Sequence, residues 1–247
     1  MKLFVPNKPT TKEQIIKELE KNIQKVWDES IILKNKKEFQ NAKEKGTMAI
    51  EIFHEYKSKN QDYINIDLEF GLKLNLALIN HQMDALEDAK VLYQDILKLE
   101  NYYSPVTQHH KIRINLGNIL YQQGEYKPAI TEYKKAKDKI SKENKELRAN
   151  IMKNIGITHI KMGNYAEAIE EYSESLKSNP DIRTAMNLLL CHLAIGDIEN
   201  TKNVFNVMLD ISAYYVNTAI KFHFIRLARK KHLAKKINKI LTPMKST

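Results

Sequence analysis

The sequence predicts an all-α chain of paired helices, and three observations carry that prediction. Turn material is scarce, with seven Gly and six Pro among 247 residues, a balance that favours long helices joined by short turns. A set of small and aromatic residues recurs at fixed spacing, and capping signals fall between the recurrences. A composition of 43% hydrophobic and 28% charged residues is that of a folded chain with enough apolar material for a core.

The recurrence is explicit. Gly117, Gly124, Tyr126, Ala129 and Tyr133 reappear 39 residues later as Gly156, Gly163, Tyr165, Ala168 and Tyr172. A further unit 33 residues on keeps Gly196 and Phe205, with Ile198 at the first Tyr position and Thr201 at the Ala position. Upstream, a weaker unit carries Ala77, Leu86, Ala89 and Tyr93, and the first, most degenerate one carries Phe39, Ala42 and Ala49. This resembles the tetratricopeptide repeat, a helix–turn–helix of about 34 residues. Each signature residue has a packing role. Gly117 and Gly156 lie mid-way along a first helix, where Gly costs about 1 kcal/mol relative to Ala, so a neighbour must need the space. Gly124, Gly163 and Gly196 fall at the turn, where a left-handed backbone suits Gly. Ala129 and Ala168 admit a close second helix, and Tyr133, Tyr172 and Phe205 fill the space one turn on.

In chain order the pattern predicts helices over 12–34, 37–57, 62–80, 84–100, 105–122, 126–139, 143–161, 165–178, 181–194, 197–210 and 213–241. Ser104-Pro105 reads as an N-cap followed by Pro at the first helical position, and Asn179-Pro180-Asp181 closes one unit and opens the next. No helix pair buries its apolar face alone, so stacking supplies the core and generates a right-handed solenoid with an inner groove. The expected organisation is a flexible segment 1–11, about five repeats over 12–211, and a basic helical tail over 212–247.

Net charge is +10, but its distribution matters more than its size. No acidic residue follows Asp210, while nine basic residues do, leaving 31 basic against 30 acidic residues in the body. The tail, with Lys221 to Lys239 interleaved with Phe222, Phe224, Ile225, Leu233, Ile237 and Ile240, reads as a helix sealing the last repeat; weak contact with an acidic membrane is its other use. No zinc finger, aromatic-interleaved RNA motif or homeodomain signature points to nucleic acid. The N-terminal run breaks at Pro6 too early for a signal peptide, and the longest apolar stretch, Leu188 to Ile195, is too short to span a membrane.

Catalytic chemistry, cofactors and metals find no motif. The single cysteine, Cys191, is expected in the core of a reduced protein, and its neighbour His192 points about 100° away on a helix, which disfavours a nucleophilic pair. His109-His110 reads as an exposed pair. There is no phosphate-binding loop or nucleophile elbow. With Leu116, Ile155 and Leu188 as equivalent positions, Asn118, Asn154 and Arg183 suit a clamp for a chain-terminal carboxylate. Ile114 and Asn187, however, stand where Lys and Arg are needed, so the clamp is incomplete. The same register places Asn118, Ile157, Ile160, Arg183, Met186, Leu190 and Leu193 towards the inner face. There they either form a groove for a partner's segment or are buried by tight curvature.

Two stretches go beyond the generic repeat: Lys145-Glu-Leu-Arg-Ala-Asn-Ile-Met-Lys-Asn-Ile-Gly-Ile157 and Asn187-Leu-Leu-Leu-Cys-His-Leu-Ala-Ile-Gly-Asp197. With Lys161-Met-Gly-Asn-Tyr165, Arg113-Ile-Asn-Leu-Gly117 and Gly124-Glu-Tyr126, they resemble, in order and from about residue 12 to 211, the family of intraflagellar transport protein 88, also called polaris. The resemblance implies a non-catalytic scaffold of intraflagellar transport complex B that binds other subunits of that complex and acts in the cilium or flagellum, at the ciliary base and from a cytoplasmic pool. Members of that family are longer, with a further run of repeats. A cytosolic peptide-binding adaptor or co-chaperone is the other reading the repeats allow.

Overall fold

The computed structural model describes residues 11–99 and 109–211. The Ser104-Pro105 cap, the tail 212–247 and all but the last residue of segment 1–11 lie outside them. Ten helices run through the described residues: α1 (Lys12–Asn35), α2 (Phe39–Lys59), α3 (Ile66–Gln82), α4 (Leu86–Lys98), α5 (His109–Gln122), α6 (Tyr126–Asp138), α7 (Lys145–Lys161), α8 (Tyr165–Ser178), α9 (Ile182–Ile195) and α10 (Ile198–Ile211). They form two compact units, Met1–Ile119 and Leu120–Thr247.

Side-chain caps explain where several helices start. Thr11 and Gln14 form a reciprocal capping box that opens α1. Asn65, Asn144 and Asp181 accept from Leu68, Leu147 and Thr184 backbone N–H at 3.0, 3.2 and 3.2 Å, opening α3, α7 and α9. The α6–α7 connection spans residues 139–144, against 179–181 between α8 and α9, and α7 has 17 residues against 14 in α9. Those additions stretch the repeat period to 39. Arg148 holds the longer connection, its Nη1 donating to the Lys137 and Ile140 carbonyls at 2.8 and 3.1 Å, which occupies acceptors left over at the end of α6.

The five helix–turn–helix units share one hydrogen-bond signature. In each turn a residue with positive φ is followed by an N–H that donates five residues back: Glu38 to Leu33, Ala85 to Asn80, Glu125 to Leu120, Asn164 to His159 and Asp197 to His192, all at 2.8–2.9 Å. The positive-φ residues are Lys37, Asp84, Gly124, Gly163 and Gly196, at 65°, 61°, 79°, 79° and 81°. This is the Schellman closure, which satisfies a carbonyl left free at a helix end. Repeats one and two therefore use the same turn as the other three without its glycine. A Lys held left-handed carries a penalty of about 1 kcal/mol or more. Lys37→Gly is expected to raise stability by about 1 kcal/mol, less the added entropy of the unfolded chain, as read in urea unfolding.

Counting from these turns aligns the packing positions. Ala42, Ala89, Ala129 and Ala168 are all fully buried, and Thr201 at the same register is 1% exposed. Nine residues after the turn stand Tyr93, Tyr133, Tyr172 and Phe205, all buried, whereas the first repeat has Gly46 there. That repeat closes by polar contacts. Ser30 Oγ on α1 donates to the Ala42 carbonyl on α2 at 2.8 Å and accepts from Asn75 Nδ2 on α3 at 2.9 Å; Asn75 Oδ1 accepts from Lys34 Nζ at 2.8 Å. The apolar core of the first unit centres on Ile23, Ala49, Phe53, Tyr63, Leu68 and Leu72. In the second unit Ala168, Tyr172, Leu188, Cys191, Phe205 and Met208 pack as one cluster.

Candidate interaction surfaces

In the second unit, Ile160 on α7 and Met186 and Leu190 on α9 are half-buried and pack onto one and the same core cluster. Ile157 on α7 is 36% exposed and Arg183 on α9 is exposed. Lys153 Nζ of α7 lies 3.5 Å from Asp181 Oδ2 at the start of α9, which ties the two first helices together. Leu193 is a correction: at 1% exposure it belongs to the core with Ala168 and Met208 and faces no groove. It shares that cluster with residues of α8 and α10. Asn118 is half-buried on α5 within the first unit and is described there alone.

His109 is a second correction. It is 2% exposed, with its ring centroid 6.4 Å from that of Phe70, because the first turn of α5 lies against α3. His110 is half-buried, and burial, aided by Lys111 and His109, depresses its pKa. Cys191 is 1% exposed and burial pushes its thiol up to about 11, so at neutral pH it is protonated and a poor nucleophile. His192 Nδ1 lies 3.2 Å from Asp197 Oδ2, which also receives the Asn200 side-chain amide at 2.8 Å. These groups serve helix termini and packing. Among the described residues no three His, Cys, Asp or Glu gather at metal-binding distance.

The feature that sequence reasoning missed lies in the first unit. Between α1 and α3 opens a groove of about 310 Å³, lined by Trp27, Ile31, Phe70, Leu74 and Leu78, with Asp67 from the first turn of α3 and, two turns further along that helix, Asn75 holding Lys34. Trp27 stands over Gly71, where a Cβ would lie 2.8 Å from its Cζ2. Gly46 and Gly71 are the two glycines that the repeat pattern leaves unassigned, and the lone tryptophan is the matching signal. Spacing within α3 says nothing of α1, so the contact was not predictable from periodicity. On the neighbouring surface, Glu69 is 8% exposed and receives Lys57 Nζ and Lys73 Nζ at 2.7 Å each.

Burial pushes the Glu69 carboxyl up, but the two ammonium groups more than offset this and hold its pKa below the ordinary 4.5. A folded pKa below the unfolded one means that the stabilisation is fully present above about pH 4.5 and is lost as pH falls through the folded value. Stability measured by urea unfolding should accordingly drop between about pH 5 and pH 3, and Glu69→Gln should flatten that part of the profile.

Comparison with known proteins places this geometry. A tetratricopeptide-repeat family model matches residues 105–181. The chain is 30% identical over 209 residues to the human intraflagellar transport protein 88 homolog, covering 83% of this chain and 25% of that protein. It thus spans about a quarter of the length of that curated relative. Among solved structures, the apo form of RapI superposes with a TM-score of 0.67 at 16% identity, covering 91% of this chain and 84% of that one. The MamA protein gives 0.62 at 17%, covering 79% and 94%. YrrB, described as a tetratricopeptide-repeat protein with an unusual peptide-binding site, gives 0.59 at 14%, covering 82% and 97%. At these identities the structures speak for the fold alone.

Proposed function

The chain is a tetratricopeptide-repeat protein resembling intraflagellar transport protein 88, and on that premise we propose that it is a non-catalytic scaffold of intraflagellar transport complex B. Its role is to hold other subunits of that complex during assembly of the cilium or flagellum, at the ciliary base and along the organelle, drawing on a cytoplasmic pool. The observation that carries this reading is similarity over 209 residues, 83% of the chain, well beyond the generic repeat region at 105–181. Repeats of this kind act through surfaces. The exposed Ile157 and Arg183, with half-buried Ile160, Met186 and Leu190, supply contact area in the second unit, and the α1–α3 groove does so in the first. No helix among the described residues is long and apolar enough to cross a membrane.

The test is affinity capture of the tagged chain from ciliating cells, with the bound proteins identified by mass spectrometry. Enrichment of complex B subunits over a capture with an unrelated repeat protein is the expected result. Recovery of chaperones alone, with no complex B subunit, would move the chain to the adaptor class.

A further inference from the structure

We propose that the α1–α3 groove of the first unit binds an extended internal segment of a partner protein that carries a basic residue, a bulky apolar residue two positions on, and an acidic residue two positions further. The inference rests on the partner-binding reading above and specifies the partner's chemistry.

Charge complementarity makes the choice. Lys34 lines the groove, and the group it bonds is the neutral amide of Asn75. Neither Lys34 nor Asp67, which also lines it, forms an ion pair among the described residues. Several lysines of this unit pair with carboxylates, among them Lys12 with Asp62, Lys43 with Asp88, Lys45 with Glu29, and Lys57 and Lys73 with Glu69; Lys34 differs in being half-buried with only a neutral partner. Burial depresses the Lys34 pKa, which is the expected cost of an ammonium held without a counter-charge. An incoming carboxylate answers it, and an incoming cation answers Asp67.

Spacing and volume set the conformation. Asp67 and Asn75 are eight positions apart on α3, about 12 Å along its axis, and four residues of extended chain span about 13 Å. Two side chains of a through-going segment therefore meet both charges. The apolar residue between them lies against Trp27 and Phe70. The groove, of about 310 Å³, accepts one or two large side chains, and an extended segment lying along it presents every second residue to one face.

Trp27 is the only tryptophan in the chain, so its emission reports on this groove directly. The experiment titrates the whole 247-residue chain with the blocked pentapeptide acetyl-Lys-Ala-Leu-Ala-Glu-amide. A saturable change in emission is expected, with affinity about tenfold weaker when the peptide's Glu is replaced by Gln, as befits one lost charge-assisted hydrogen bond. Lys34→Met protein should show the same loss. If that variant fails to fold, the Gln peptide makes the same test on the unaltered chain. Absence of a saturable change, or equal affinity for the Glu and Gln peptides, overturns the proposal. Tighter binding of a peptide that ends at Leu with a free carboxylate overturns the commitment to an internal segment. Failure of the peptide alongside successful capture of complex B subunits removes only the groove assignment; the reverse pattern removes only the transport reading.

Discussion

Replacing Gly156 by Leu is expected to destabilise the chain by about 3 kcal/mol, the upper part of the usual range for overpacking a core. A Cβ at this position would lie 2.9 Å from both Cε1 and Cζ of Tyr172 and 3.1 Å from its Cε2. Tyr172 is fully buried, so its ring has no open side into which to retreat. A longer side chain gains the helix propensity that Gly lacks, worth about 1 kcal/mol, but the clash of a whole side chain exceeds it. Tyr172→Ala alone should cost about 3–5 kcal/mol through the cavity it leaves. The double variant should cost less than the two losses added, because the ring that Leu strikes is gone. Urea unfolding of the four proteins gives the cycle. Strict additivity would mean that Gly156 is not reserved for this ring, and the repeat register would have to be redrawn.

Asn75→Ala is expected to cost about 2 kcal/mol. The first repeat lacks the aromatic ring found in the other four, with Gly46 in its place and Ser30 opposite; a Cβ on Gly46 would sit 3.2 Å from Ser30 Oγ. The polar chain from Ala42 through Ser30 and Asn75 to Lys34 joins α1, α2 and α3 instead. Truncating Asn75, itself 4% exposed, strips Ser30 of a donor and Lys34 of its acceptor inside a partly closed site. Asn75→Asp is the informative companion. It keeps the acceptor and gives Lys34 a counter-charge, so it should restore part of the stability above about pH 5 and lose it on acidification. A melting temperature unchanged by Asn75→Ala would show that the apolar contacts of α1 and α3 suffice without this chain.

The later repeats were legible because their turns and close approaches are made with glycine. Gly124, Gly163 and Gly196 mark left-handed residues, and Gly156 marks the seat of Tyr172. The early repeats make the same turns with Lys37 and Asp84, which carry no such signature, so only their helical periodicity and small residues such as Ala42 and Ala89 betray them. Surfaces were harder to read. Leu193 and Leu190 share the apolar face of α9, and periodicity within α9 does not tell that the first is core and the second half-buried. His109 was misjudged because its cover, Phe70, comes from a helix some forty residues earlier. The α1–α3 groove has the same origin: it exists between helices that do not adjoin in sequence, and its only written traces are one tryptophan and a glycine with no place in the repeat.

The most direct test of the scaffold account is reconstitution. Purified chain is mixed with a complex B subassembly assembled without its own intraflagellar transport protein 88, and the mixture is resolved by size-exclusion chromatography with mass determination. The account predicts a single species of increased mass containing the chain in fixed stoichiometry. Separate elution of the chain and the subassembly at concentrations of about ten micromolar, well above those at which specific interfaces of standard size form, would contradict it.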